Sequence, residues 1–146
     1  MNDESYYICL DILDRINDEA ITKFGSGYAF SKALGRHKSF WNVHYGNVIF
    51  PRLKNIITYA HILDVSVEYL LTGKNRDKYE PCEIDYQNIY NEYKKHKISV
   101  DNCHKLAPIM FRVKRGLGIN LGTLIELSDM FDIPYYELGF KKPLGE

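Results

Sequence analysis

Gly35-Arg36-His37-Lys38-Ser39-Phe40-Trp41-Asn42, then Pro51-Arg52-Leu53-Lys54-Asn55-Ile56-Ile57, then Leu63-Asp64-Val65-Ser66-Val67-Glu68-Tyr69-Leu70-Leu71-Thr72-Gly73-Lys74 decide how this chain folds. Gly35 reads as the stop of a short helix that Ser26 caps and that runs to about Leu34. Ser39 is placed to cap the next, Phe40 to about Gly46, closed by Gly46-Asn47. Pro51 suits the start of a further helix, because its missing N–H is one of the unpaired donors there in any case. Leu53, Ile56, Ile57, Ala60 and Leu63 then recur at three- and four-residue spacing and give that helix one buried face. Ser66 opens a last short helix, Val67 to Thr72, which Gly73 stops. Upstream, Tyr7, Cys9, Leu10, Leu13 and Ile16 stripe a first helix over about residues 5–20, and Gly25-Ser26-Gly27 interrupts it. No long alternating stretch occurs anywhere, so the expected fold class is all-α.

These residues resemble the phage-repressor-like, Cro/CI-type (XRE) helix-turn-helix family over residues 5–74. In that family a turn glycine closes helix two, a proline sixteen residues later opens helix four, and the domain ends in V-S-x-x-Y-L-L-x-G. Gly35 to Pro51 reproduces the spacing without a gap. The resemblance implies a sequence-specific DNA-binding transcriptional regulator, a repressor in the usual case, whose third helix enters the major groove. Carried over by position, Lys38, Ser39 and Asn42 face base edges and Phe40 offers an apolar contact to a thymine methyl. Arg36, Arg52 and Lys54 flank them as phosphate contacts, with the backbone amides near Ser26 and Gly27 as another. Trp41 takes the buried slot between helices two and three. The sequence departs from the pattern at Gly27, in place of a polar residue, at Ser31, in place of alanine, and at Arg36, in place of an aliphatic residue. His44 also stands where a buried apolar residue is usual. The family commonly works as a homodimer on palindromic operators, so the implied partners are double-stranded DNA and a second copy.

Beyond Lys74 the chain becomes polar, and residues 75–84 read as a linker between a domain at 1–74 and another at 85–146. A shift of 68 residues superposes Leu53 on Leu121, Ile56 on Leu124, Ile57 on Ile125 and Leu63 on Phe131. The same shift superposes Asp64 on Asp132, Val65 on Ile133 and Leu70 on Leu138. Seven such matches within eighteen positions argue for an internal repeat, hence two tandem helix-turn-helix units. The second copy is degenerate. Ser99 is its candidate cap, Pro108 to Arg115 its third helix and Gly116 the closing glycine, and Gly116 to Leu121 is one residue shorter than Asn47 to Leu53. Tyr86, Ile89, Tyr90 and Tyr93 stripe the helix that precedes it. Arg112, Lys114 and Arg115 mark either a second DNA-contact face or a copy used for dimerisation.

The 146 residues carry 19 Lys+Arg and 19 Asp+Glu, a net charge of zero that looks unfavourable for a nucleic-acid partner. The distribution reverses that impression. Residues 1–19 hold six acids and one base, whereas residues 23–54 hold six bases (Lys23, Lys32, Arg36, Lys38, Arg52, Lys54) and no acid. Residues 94–115 hold seven bases, Lys97 among them, against Asp101 alone. Segregation of this kind creates a local field whatever the total.

Three cysteines, Cys9, Cys82 and Cys103, show no C-x-x-C pair, which points to reduced thiols and away from a zinc site or a disulfide framework. With no long apolar run and an acidic start at Met1–Ser5, a cytoplasmic protein without membrane contact is expected. Asp11, Asp14 and Asp18 share one helix face and read as solvated. His37, His44, His96 and His104 lack zinc spacing, and no metal, cofactor, small-molecule ligand or catalytic constellation is expected. The alternative function is an inhibitor or adaptor derived from the same fold, which binds a partner protein or an RNA complex through its basic faces.

Overall fold

The computed structural model describes residues 1–96 and 100–143, with only the backbone described at Val100, Asp101 and Cys103. Lys97 and the expected cap Ser99 lie outside the described residues. The protein is all-α. The first half contains α1 (Asp3–Phe24), α2 (Gly27–Ala33), α3 (Phe40–Gly46), α4 (Leu53–Leu63) and α5 (Val67–Thr72). The second contains α6 (Tyr86–Lys95), α7 (Val100–Lys114), α8 (Leu121–Phe131) and α9 (Tyr135–Gly139). Two short strands, β1 (Glu83–Ile84) and β2 (Phe140–Lys141), pair antiparallel, so the end of the expected linker is pinned to the end of the described chain.

Local chemistry accounts for most of the boundaries. Ser26 and Ser66 accept hydrogen bonds from the amides of Ala29 and Tyr69, three residues on, and so cap α2 and α5. Gly25 and Gly73 end α1 and α5 in the left-handed region. Asp64 and Asp132 end α4 and α8 with almost the same left-handed geometry, φ 54° and 55°. Asp is among the few non-glycine residues that visit this region readily.

Three boundaries differ from expectation. Pro51 does not open α4; the helix begins at Leu53, and the Pro51 carbonyl accepts from the Leu121 amide instead. Ser39 makes no side-chain cap to α3. Most consequentially, no break precedes Pro108, which lies inside a continuous α7. Leu106, Met110 and Val113 are buried at helical spacing across that point, while Pro108 is exposed on the opposite side. Burial of one face therefore carries the helix through the proline, and the second half has one long helix where the first has α2, a turn and α3.

The repeat persists without the expected gap. Gly116 corresponds to Val48, not Asn47, because both hold a left-handed backbone, φ 67° and 55°. Their hydrogen bonds correspond too: Val48 N–H to Tyr45 and Ile49 N–H to His44 in one half, Gly116 N–H to Val113 and Leu117 N–H to Arg112 in the other.

The halves form one core. Leu53, Ile56, Trp41 and Phe30 belong to the same buried cluster as Leu121, Leu124, Ile125 and Leu138. The start of α1 lies against α8, with the Met1 amino group 3.6 Å from Glu126 and Asn2 donating to Asp129 at 3.2 Å. Where the two repeats meet, Arg52 and Asn120 form an isolated antiparallel bridge. Leu53 N–H donates to Ile119 at 3.0 Å and Leu121 N–H to Pro51 at 2.8 Å. Replacing Gly116 by alanine, where a Cβ has room but the left-handed backbone disfavours one, is expected to cost about 1–2 kcal/mol in chemical denaturation.

Candidate nucleic-acid interface

α3 is only seven residues long and could not hold its own shape, so its orientation is set by what grips its inner face. Trp41 does most of this. Its indole is buried between Phe30 and Tyr59, edge to face at 5.4 and 5.6 Å, and is stacked on Tyr45 at 5.8 Å. The indole N–H donates to Asn17 Oδ1 at 2.9 Å. One helical turn along α3, the Tyr45 hydroxyl donates to Asp14 at 2.6 Å. The hydrogen bond to Asp14, with burial second, pushes the Tyr45 phenol up to about 12. Asn17 and Asp14 are three residues apart on α1, so both ties come from one face of that helix.

The departure at Ser31 has a structural role. Its fully buried hydroxyl donates to the Gly27 carbonyl at 2.8 Å and accepts from the Trp41 amide at 2.9 Å. That amide is one of the unpaired donors at the start of α3. The cap expected from Ser39 is thus supplied by Ser31, across the turn. Ser39 instead places its hydroxyl 2.9 Å from His37 Nδ1.

The candidate base-contact residues divide. Lys38 is exposed in the turn that leads into α3, and Ser39 is half-buried beside it. Asn42 is exposed, but its carboxamide leans over the start of α2. Gly27 is buried beneath it, and a Cβ at residue 27 would displace the Asn42 carboxamide from this position. Phe40 is half-buried with Arg36 over its ring at 5.1 Å and His44 against it at 4.2 Å. The freely exposed apolar side chain of α3 is Val43, at 49%, together with Tyr28 on α2, at 54%. Neither stands out in the sequence, since one apolar residue on a short helix carries no periodicity. His44 uses Nδ1 on the Phe40 carbonyl at 2.8 Å, so a polar residue is tolerated in the usually apolar slot.

Of the candidate phosphate contacts, Arg36, Arg52 and Lys54 are exposed, and the Ser26 hydroxyl is engaged in capping α2. Arg52 extends over Gly118, at the junction of the repeats. In the second half, Arg112 is half-buried and donates from Nε and Nη2 to the Gly118 carbonyl at 3.1 and 3.0 Å, so two of its five donors hold the α7–α8 turn. Lys114 and Arg115 are exposed. Lys114 sits 5.8 Å from the Tyr90 ring and Arg115 stacks 3.5 Å above Phe111, itself 56% exposed. The tyrosine stripe of α6 accordingly packs with the core and carries Lys94 at 4.8 Å over Tyr90.

Nothing among the described residues groups three or more metal-ligating side chains. Burial pushes the Cys9 thiol up to about 12 and the Cys82 thiol up to about 11, the opposite of an activated thiolate. None of the described helices is long and apolar enough to cross a membrane. Comparison with family models, curated proteins and solved structures gives no match to this chain.

Ser31→Ala restores the residue usual in helix-turn-helix sequences but strands the buried Trp41 amide. It is expected to lose about 1–3 kcal/mol of stability, read by thermal or urea unfolding.

Proposed function

We propose that this chain binds double-stranded DNA as a sequence-specific transcriptional regulator, with α3 in the major groove. The observation that supports this best is the α2–turn–α3 unit. Its inner face is fixed by Trp41, Ser31 and Tyr45, while Lys38, Asn42 and Val43 stay exposed on the outside. Arg36, Arg52 and Lys54 flank α3 in sequence and are exposed, and no acidic residue occurs between Lys23 and Lys54. Lys38 supplies a donor for guanine O6 or N7, and Asn42 has the donor and acceptor that match adenine once its carboxamide swings off Gly27. Val43 takes the thymine-methyl contact that the sequence assigns to Phe40. The arginines and lysines around them fix register on the phosphates without reading sequence.

The protein's neutral total limits long-range attraction, so binding depends on close docking and falls with salt at about 0.9 in log K per phosphate neutralised. Selection from random duplexes with the purified full chain is expected to enrich one motif. Lys38→Ala should cost about 1–3 kcal/mol at one or two base pairs of it, whereas Arg52→Ala should weaken all sequences about equally. Enrichment of no sequence overturns the proposal.

One observation favours a second reading, a partner protein. Phe111 and Leu117 are exposed at 56% and 43% beside Lys114 and Arg115, an apolar and basic patch that suits an acidic partner surface. Under that reading duplex selection fails and charge reversal at Arg115 abolishes capture of the partner.

A further inference from the structure

We infer that a single chain is an internal pseudo-dimer that spans both halves of one DNA site by itself: α3 reads one half-site and the C-terminal end of α7 docks on the other. This rests on the DNA-binding reading above and specifies its stoichiometry and the form of its target.

The relation between the halves carries the inference. Under the 68-residue shift Pro51 corresponds to Ile119, Arg52 to Asn120 and Leu53 to Leu121. The two hydrogen bonds at the junction, Leu53 N–H to Ile119 and Leu121 N–H to Pro51, are therefore exchanged by the repeat. Contacts in which i meets j and the equivalent of j meets the equivalent of i define a twofold axis. A second pair of equivalent elements also meets: α5 touches α9, and the Tyr135 hydroxyl donates to the Leu71 carbonyl at 2.8 Å. The exchanged junction bonds define one pseudo-twofold axis, and the α5–α9 contact, between equivalent elements, is compatible with it.

Rotation about an axis does not change height along it. α3 and its equivalent, residues 108–114 of α7, therefore stand at the same height along it, each followed by the turn that leads into the junction. Their exposed apolar residues correspond. Val43 and Phe111 are equivalent and both exposed, at 49% and 56%; Ile49 and Leu117 are equivalent and both 43% exposed. Beside the junction, a depression is lined by Arg52 from the first half and by Ile109, Arg112, Asn120 and Thr123 from the second. A duplex has twofold axes of its own, and proteins that read two half-sites about one turn apart align with them. A homodimer supplies this symmetry with two chains; here one chain contains it.

The chemistry of the halves is unequal. Lys38 corresponds to Leu106 and Asn42 to Met110, both buried, and Ser39 corresponds to Ala107. The second half therefore lacks the polar set that reads base edges. It keeps Phe111 and adds Lys114 and Arg115 where the first half has Gly46 and Asn47. One half-site is read through hydrogen bonds and the other is held through phosphates.

The test combines sedimentation equilibrium with hydroxyl-radical footprinting on duplexes enriched by the full chain. The expected result is one chain per duplex, a motif without palindromic symmetry, and protection that extends about one helical turn past the motif on one side. Doubly substituted K114E/R115E, with thermal unfolding unchanged, should lose that extension and at least about tenfold in affinity at low salt. Its salt slope should fall by about two while it enriches the same motif. Two chains per duplex on a palindrome, or an unchanged footprint in K114E/R115E, overturns the pseudo-dimer and leaves DNA binding intact. Failure of any duplex to bind at low salt overturns the proposed function, and this inference with it.

Discussion

Two backbone hydrogen bonds across the Arg52–Asn120 bridge fix where everything else in this molecule can sit. They join the turns that leave α3 and α7 and set the starts of α4 and α8 side by side. Those two helices contribute equivalent apolar residues, Leu53, Ile56 and Leu63 in one half and Leu121, Leu124 and Phe131 in the other, to one buried cluster shared by both halves. Each half packs its own helices, and the two interiors merge into one cluster, which suits units of about seventy residues, where a separate hydrophobic core is marginal. The division into 1–74 and 85–146 follows the repeat in sequence, and the buried cluster is continuous across it.

The same arrangement separates support from contact. α1 is acidic on its outer face and carries the anchors Asp14 and Asn17 that hold Tyr45 and Trp41. Basic residues concentrate around α3 and at the end of α7. A chain with no net charge is thereby polarised, with six acids against one base over residues 1–19 of the bracing helix and its N-terminal lead and no acid from Lys23 to Lys54. Ser31 completes the support, because one buried hydroxyl links the start of α2 to the start of α3 and fixes the turn between them.

Much of this was legible in the sequence, for identifiable reasons. Helix caps depend on one residue and its neighbours, so Ser26, Ser66, Gly25 and Gly73 announce their positions, and the equivalent Asp64 and Asp132 betray the repeat. Trp41 as the buried anchor followed from the resemblance. What escaped depends on tertiary context. Pro108 signals a helix start, yet continuous burial on the opposite face overrides it. Val48 adopts a left-handed backbone that nothing about valine advertises, and its pairing with Gly116 removed an apparent gap. Ser39 looks like a cap, but the residue that caps α3 lies ten positions before Trp41, on another helix. Phe40 and Asn42 share the same lesson: position along a helix predicts a face, and only neighbours such as Arg36, His44 and Gly27 decide where the side chain goes.

The central claim is that the α3 face meets DNA. Amide chemical-shift mapping of the labelled chain with its enriched duplex tests it most directly. The largest changes are expected from Arg36 to Val43, smaller ones from Lys114 to Leu117, and none along Asp11, Asp14 and Asp18 of α1. Changes centred on α1, or spread evenly without a focus at α3, would contradict it.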